Sequence, residues 1–307
     1  MSAKRGKVTW VGVSDFRGTN PKSFAEHESS LSDISQLIET LGFSVGNSRI
    51  RSYQNVLSAL RTKAERDHKL TLSDGMQLLH TSVELHQLGT ILRAARGAPD
   101  LSIWQSHLER LISGTHPDVP AKLSPTWDFQ FETFVASVAQ LSGYEIDFQE
   151  PDILIKDGDR SFGIAAKRPR TAPGLRRNLQ KAAKQILKST FEGMIAVDCS
   201  VILATDRAIT TTSDEHAAEF VEEILADFLR DSAFEIHRYR SEPKVFAMLF
   251  VLHMPVTIVD TEWTKAKQLT TAFRWTVVPL VNPDDPRYHT SIRFAERCSQ
   301  GLFTNRS

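Results

Sequence analysis

The chain has 307 residues, 41% of them hydrophobic and 24% charged, with 37 basic and 37 acidic side chains. These are the proportions of a globular protein with a full core, and they exclude a disordered or fibrous chain. A formal net charge of zero means that any pull toward nucleic acid has to come from local clusters of charge.

The first residues, MSAKRGKVTW, are basic, but no apolar run of signal-peptide length follows them. A strand-like run at 8–13 leads into a polar loop rich in Ser, Gly, Asn and Pro. From about 30 to 113 the pattern is helical. Ile34, Leu37, Ile38 and Leu41 recur at helical spacing before Gly42. A longer apolar pattern runs from Met76 to Leu92 and is stopped by Gly97, and Trp104, Leu108, Leu111 and Ile112 mark a last helix. His80, Glu84 and His86 lie on one of these helices, but the two histidines are six apart and fall on opposite sides, which does not suit metal ligation.

The stretch 114–124 (GTHPDVPAKLS) has two prolines and no periodicity, so a domain boundary is expected there. Residues 1–120 are read as a mostly helical module and 121–307 as a second domain. Ser124 and Pro125 open a helix whose apolar face is Phe131, Phe134, Val135, Val138 and Leu141, and Gly143 ends it. Short β-type runs follow at 144–148, 153–156 and 161–167, the last two joined by KDGDR, which is hairpin-turn chemistry. Next come a helix over 175–189, a strand from 194 continuing to about 204, an amphipathic helix over 214–230 and an apolar strand from 245. The stretch 245–259 is the longest apolar run, but it contains His253 and Pro255 and is too short to span a bilayer. The order predicts an α/β (α+β) fold with a mixed central sheet flanked by helices. No pattern predicts structure after Asn282. Cys199 and Cys298 are too few and too far apart for a disulfide framework and suit a reducing cytosol, so a cytoplasmic protein without a membrane partner is expected.

A hairpin loop of either two or four residues sets Asp152 on one sheet face with Gly163, Ala165 and Lys167, and with Gly158-Asp159 as the loop Asp152 stands opposite Ala165. An acid and a lysine then share the mouth of a hairpin, and the small residues beside them are expected to leave open space. The second signal is charge. Lys167, Arg168, Arg170, Arg176, Arg177, Lys181, Lys184 and Lys188 fall between 166 and 190 with no acid among them. Arg177, Lys181, Lys184 and Lys188 form one helical stripe suited to phosphates, unless acids of the 214–231 helix neutralise it. Base-stacking aromatics are not evident beside that stripe. No Walker-type loop or Gly-x-Ser-x-Gly elbow is present.

Taken in order, Glu132 on a helix, Pro151-Asp152 entering a strand, a hairpin to Ala165-Ala166-Lys167 and a basic helix with Gln185 resemble the PD-(D/E)XK nuclease superfamily. The resemblance covers about 130 residues and implies a restriction-endonuclease-like core and Mg²⁺- or Mn²⁺-dependent cleavage of DNA, with RNA as the alternative. It also implies Asp152 as central metal ligand, Glu132 as supporting acid, Lys167 as catalytic lysine and Gln185 beside them. The family's second strand acid corresponds to Ala165. Three readings follow: a degenerate member that binds without cutting, a ligand migrated to Glu132 or Glu150, or an inactivating substitution. The module over 1–120 is expected to recognise a protein partner, recruit a second subunit or position the duplex.

Overall fold

The structure, a computed structural model, describes residues 14–22, 24–46, 48–67, 72–113, 125–203, 209–259 and 266–304. The 8–13 run and the boundary stretch 114–124 lie outside the described residues. The chain begins with β1 (Ser14–Lys22) and four helices, α1 (Phe24–Thr40), α2 (Arg49–Asp67), α3 (Leu72–Arg96) and α4 (Ser102–Ser113). Then come α5 (Pro125–Leu141), β2 (Glu145–Asp147), β3 (Ile153–Asp157), β4 (Arg160–Lys167), α6 (Ala172–Lys188) and β5 (Gly193–Asp198). The remainder is α7 (Ser200–Leu203), β6 (Ile209–Thr211), α8 (Asp214–Asp231), α9 (Ala233–His237), β7 (Val245–Val259), β8 (Ala266–Pro279) and α10 (Pro286–Thr304).

The strands form one mixed sheet in the order β1-β8-β7-β5-β4-β3-β2, with β6 beside the far half of β7. β4, β5 and β7 run parallel, and β2, β3, β8 and β1 join antiparallel. The apolar runs at β5 and β7 are continuous because both faces of these strands are covered. On one face, Phe131, Phe134, Ile164, Phe246 and Phe294 share a core with Ile38, Leu57, Leu92 and Trp104. On the other, Ala165, Ile195 and Phe250 pack under Leu179, Ala183 and Ile186 of α6 and Val221 and Leu225 of α8. The result is a mixed sheet between two helical layers.

Two local expectations are corrected, and one segment without a predicted structure is assigned. The polar loop after 13 is in fact β1, which pairs with β8 over nine positions. An edge strand is held by backbone hydrogen bonds to one neighbour, so it needs no alternating apolar signal. The strand expected to continue to 204 stops at Asp198, whose Oδ1 accepts from Ser200 N at 2.8 Å and starts α7. After Asn282 the chain forms α10, which inserts Phe294 and Cys298 into the core, both buried.

The N-terminal helices are tied to the sheet by a buried polar chain as well as by apolar contacts. Arg49 is ion-paired with Glu84, which also accepts from Tyr53 Oη at 3.0 Å. Arg49 donates to Gln130 Oε1 at 2.6 Å, and Gln130 donates to Gln87 Oε1 at 2.8 Å. Gln87 Nε2 lies 3.4 Å from His253 Nδ1 on β7. Arg168 Nε donates to Asp198 Oδ2 at 2.6 Å. Loss of one partner from such a buried pair costs about 3–5 kcal/mol, because the other charge is left dry. Cys199 is buried in this region, and burial pushes its thiol well above the usual range, as expected of a plain core residue.

His253 gives this network a pH signature. Burial lowers its pKa to about 4, with Asp198 opposing the shift and Arg168 reinforcing it. An unfolded histidine titrates near 6.5, so below that pH the unfolded chain binds the extra proton. Stability is then full above pH 6.5 and is lost as the pH falls toward about 4, by roughly 3 kcal/mol in total. Urea midpoints at pH 7 and pH 4.5 should show a larger acid loss for the natural protein than for His253→Asn. Equal losses in the two proteins would mean that other groups carry the acid sensitivity.

Candidate functional site

The site begins with the β3–β4 hairpin. Asp157 pairs with Arg160 and Ile153 with Ile164, so the loop is Gly158-Asp159, the two-residue alternative, with Gly158 at φ +60°. The same register puts Asp152, one residue before β3, level with Ala165. Its carboxylate is held on three sides. Oδ2 accepts from Lys167 Nζ and from Ala166 N, both at 2.8 Å. Oδ1 accepts from Gln185 Nε2 at 3.0 Å, and that amide also donates to Pro151 O at 3.0 Å. Lys167 Nζ donates in addition to Ala166 O at 2.9 Å. The acid, the lysine and the glutamine named from sequence are therefore brought together.

Burial raises the Asp152 carboxyl above its ordinary range; Lys167 pulls it down, and the Glu132 charge adds a smaller push upward. Glu132 stands on α5 across from Asp152 and is half-buried, with its Oε1 3.7 Å from His107 Nε2 on α4. A cleft of about 590 Å³ is lined by Glu132, Lys167 and Gln185, while Asp152 lies outside its lining behind Lys167 and Gln185.

One wall is α6. Its first turn is fixed by Thr171, whose hydroxyl accepts from Gly174 N at 3.1 Å, and by Pro173. Leu175, Leu179, Ala182, Ala183 and Ile186 are buried, which turns Lys181, Lys184 and Lys188 into the cleft. Among the described residues none of these three lysines has a carboxylate partner, and the acids of α8 do not reach them: Glu222 holds Arg274 and Asp227 holds Arg230.

The other basic residues named from sequence are placed differently. Arg168 also lines the cleft, but it is buried and committed to Asp198. Arg170 pairs with Asp128 at 3.1 Å and Arg176 lies 3.9 Å from Glu235. Arg177 is exposed on α6 outside the cleft lining.

The space expected around the small residues is absent. A Cβ on Gly163 would lie 2.5 Å from the Pro151 ring, and Ala165 is 0% exposed in the core beneath α6. Glycine and alanine are small here because Pro151 and α6 press on the sheet, not because a ligand needs room.

This bears on a divalent metal. Mg²⁺ takes several hard oxygen ligands in near-octahedral geometry. The site offers three carboxylates, Asp152, Glu132 and Asp128, of which Asp152 is already paired with Lys167 and has both oxygens hydrogen-bonded, and Asp128 is paired with Arg170. No cluster of three or more His, Cys, Asp or Glu side chains suited to a metal occurs among the described residues. In this arrangement the donor set does not fit a Mg²⁺ or Mn²⁺ centre.

Sequence reasoning missed the opposite wall. Arg110 on α4 and Asp128 and Phe129 on α5 line the cleft. Arg110 stands 57 places before Lys167 in the numbering, inside the region assigned to a separate module, and no local pattern links the two. No family model, curated protein or solved structure matches the chain. Among the described residues no helix is long and apolar enough to cross a membrane.

Proposed function

We propose that this protein binds the phosphodiester backbone of nucleic acid, DNA first, in the cleft between α4–α5 and α6, as a PD-(D/E)XK-type nuclease fold whose metal centre is incomplete. The observation that carries the reading is the row Lys181, Lys184 and Lys188, unneutralised along one wall, with Lys167 at the floor beside Asp152. Phosphate oxygens are the anions such a row suits, because a linear array of point charges matches a linear array of phosphates. The order of α5, β2, β3, β4, α6 and β5 supports the nuclease-type assignment, as does the Asp152–Lys167 contact at 2.8 Å. The region before residue 114 then acts at the site itself, since α4 supplies part of the cleft.

A second reading, hydrolysis at the same site, is favoured by Glu132, whose charge is felt at Asp152. One pair of assays tests both. Fluorescence anisotropy with labelled DNA should show binding that weakens linearly in log Kd against log salt. Plasmid incubated with Mg²⁺ or Mn²⁺ should remain supercoiled. Nicking that disappears in Asp152→Asn and Lys167→Ala would replace the binding reading with the hydrolytic one. Absence of binding to DNA and RNA at low salt would remove the nucleic-acid reading.

A further inference from the structure

The two walls of the cleft differ in chemistry. The α6 wall carries compact ammonium charges, whereas the α4–α5 wall presents Arg110 and Phe129 beside the carboxylates of Asp128 and Glu132, with His107 and Phe148 stacked behind Phe129. His107 stacks on Phe148, with centroids 3.6 Å apart and planes at 21°, and on Phe129 at 4.7 Å and 24°. The Arg110 guanidinium lies over the Phe129 ring, 3.8 Å from its centroid, while the residue is exposed and lines the cleft. Among the described residues Arg110 has no carboxylate partner. Phe129 thus supports the Arg110 guanidinium from one side at the wall of the cleft.

Guanidinium and aromatic planes receive nucleobase faces, whereas lysines receive phosphates. In a duplex each base face is covered by the next base pair, and proteins meet only edges and backbone. A base can lie on Arg110 only if it is unstacked from a partner strand. The cleft, about 590 Å³, is of the size that holds a small-molecule ligand, which suits a nucleotide or two rather than the width of a duplex.

We infer that the cleft takes a single-stranded segment, with its phosphates along Lys181, Lys184 and Lys188 and a base stacked against Arg110. The inference rests on the nucleic-acid reading above and narrows it to substrate class. It makes Arg110 a specificity-determining residue, whose plane matters more than its charge.

The test uses the full chain with three fluorescent probes: a short oligothymidylate, a duplex of equal charge and an abasic strand with the same phosphates. The natural protein should bind the oligothymidylate at least about tenfold more tightly than the duplex or the abasic strand, the scale of one stacked base. Arg110→Ala should lose roughly tenfold or more on the oligothymidylate and little on the abasic strand. Arg110→Lys, which keeps the charge and discards the plane, should resemble Arg110→Ala. Wild-type behaviour of Arg110→Lys, or a preference of the natural protein for duplex, overturns the single-strand inference while leaving phosphate binding in place. A natural protein that binds none of the three probes overturns the nucleic-acid reading itself, so the two failures are distinguishable.

Discussion

Replacing Lys181, Lys184 and Lys188 together with alanine should weaken nucleic-acid binding by roughly a hundredfold at low salt, at about 1 kcal/mol for each exposed phosphate contact. The slope of log Kd against log salt should flatten by about two to three units, since each lost contact releases one counterion fewer. Folding should be unaffected, because all three side chains are exposed and their helix is anchored by Leu175, Leu179, Ala182, Ala183 and Ile186 on its other side. Arg177→Ala is the matched control. It removes one more positive charge from the same helix, but outside the cleft lining, and should change affinity by less than about threefold. Anisotropy titrations at three salt concentrations would read both effects. A triple variant that binds with the affinity and salt slope of the natural protein would reduce the lysine row to a solvated helix face.

The lysines of α6 show where sequence reading was sufficient, and Arg177, on the same stripe but outside the cleft lining, where it was not. Helical periodicity placed Arg177, Lys181, Lys184 and Lys188 on one stripe, and strand parity placed Asp152 opposite Ala165 with Lys167 two residues on. Both follow from local geometry, in which the side-chain period is fixed once helix or strand is known. Whether a charge is free is not local. Arg168, Arg170 and Arg176 have the same composition signal as the lysines, yet Asp198, Asp128 and Glu235 neutralise them from distant elements. The stack of His107, Phe129 and Phe148 was illegible for the same reason, since it joins α4, α5 and the loop after β2. Edge strand β1 escaped detection because backbone pairing leaves no apolar pattern.

Position 165 is where the fold most changes the reading of the sequence, and Ala165→Glu is expected to destabilise the protein rather than complete a metal centre. On sequence alone, alanine beside Asp152 looks like a vacancy for a carboxylate. In the structure the Cβ of Ala165 points into a core made with Leu179, Ala182, Ala183 and Ile195, and the residue is 0% exposed. A glutamate there adds four heavy atoms (Cγ, Cδ and two carboxylate oxygens) and a charge beneath α6. The nearest cation on the same face, Lys167, is already held by Asp152 at 2.8 Å. An uncompensated buried charge costs about 3–5 kcal/mol, and overpacking adds about 1–3 kcal/mol. For a chain of this size a loss of 3 kcal/mol lowers Tm by roughly 5 °C. Ala165→Gln carries nearly the same volume without the charge, so its Tm separates the two costs and should fall between those of the natural protein and Ala165→Glu. Calorimetric titration of Ala165→Glu with Mn²⁺ should give no binding heat, and plasmid should stay intact. A variant that melts with the natural protein, binds Mn²⁺ and nicks DNA would show that α6 yields to the new side chain. In that event the alanine is the missing ligand position after all, and Asp152 exchanges its contact with Lys167 for the metal.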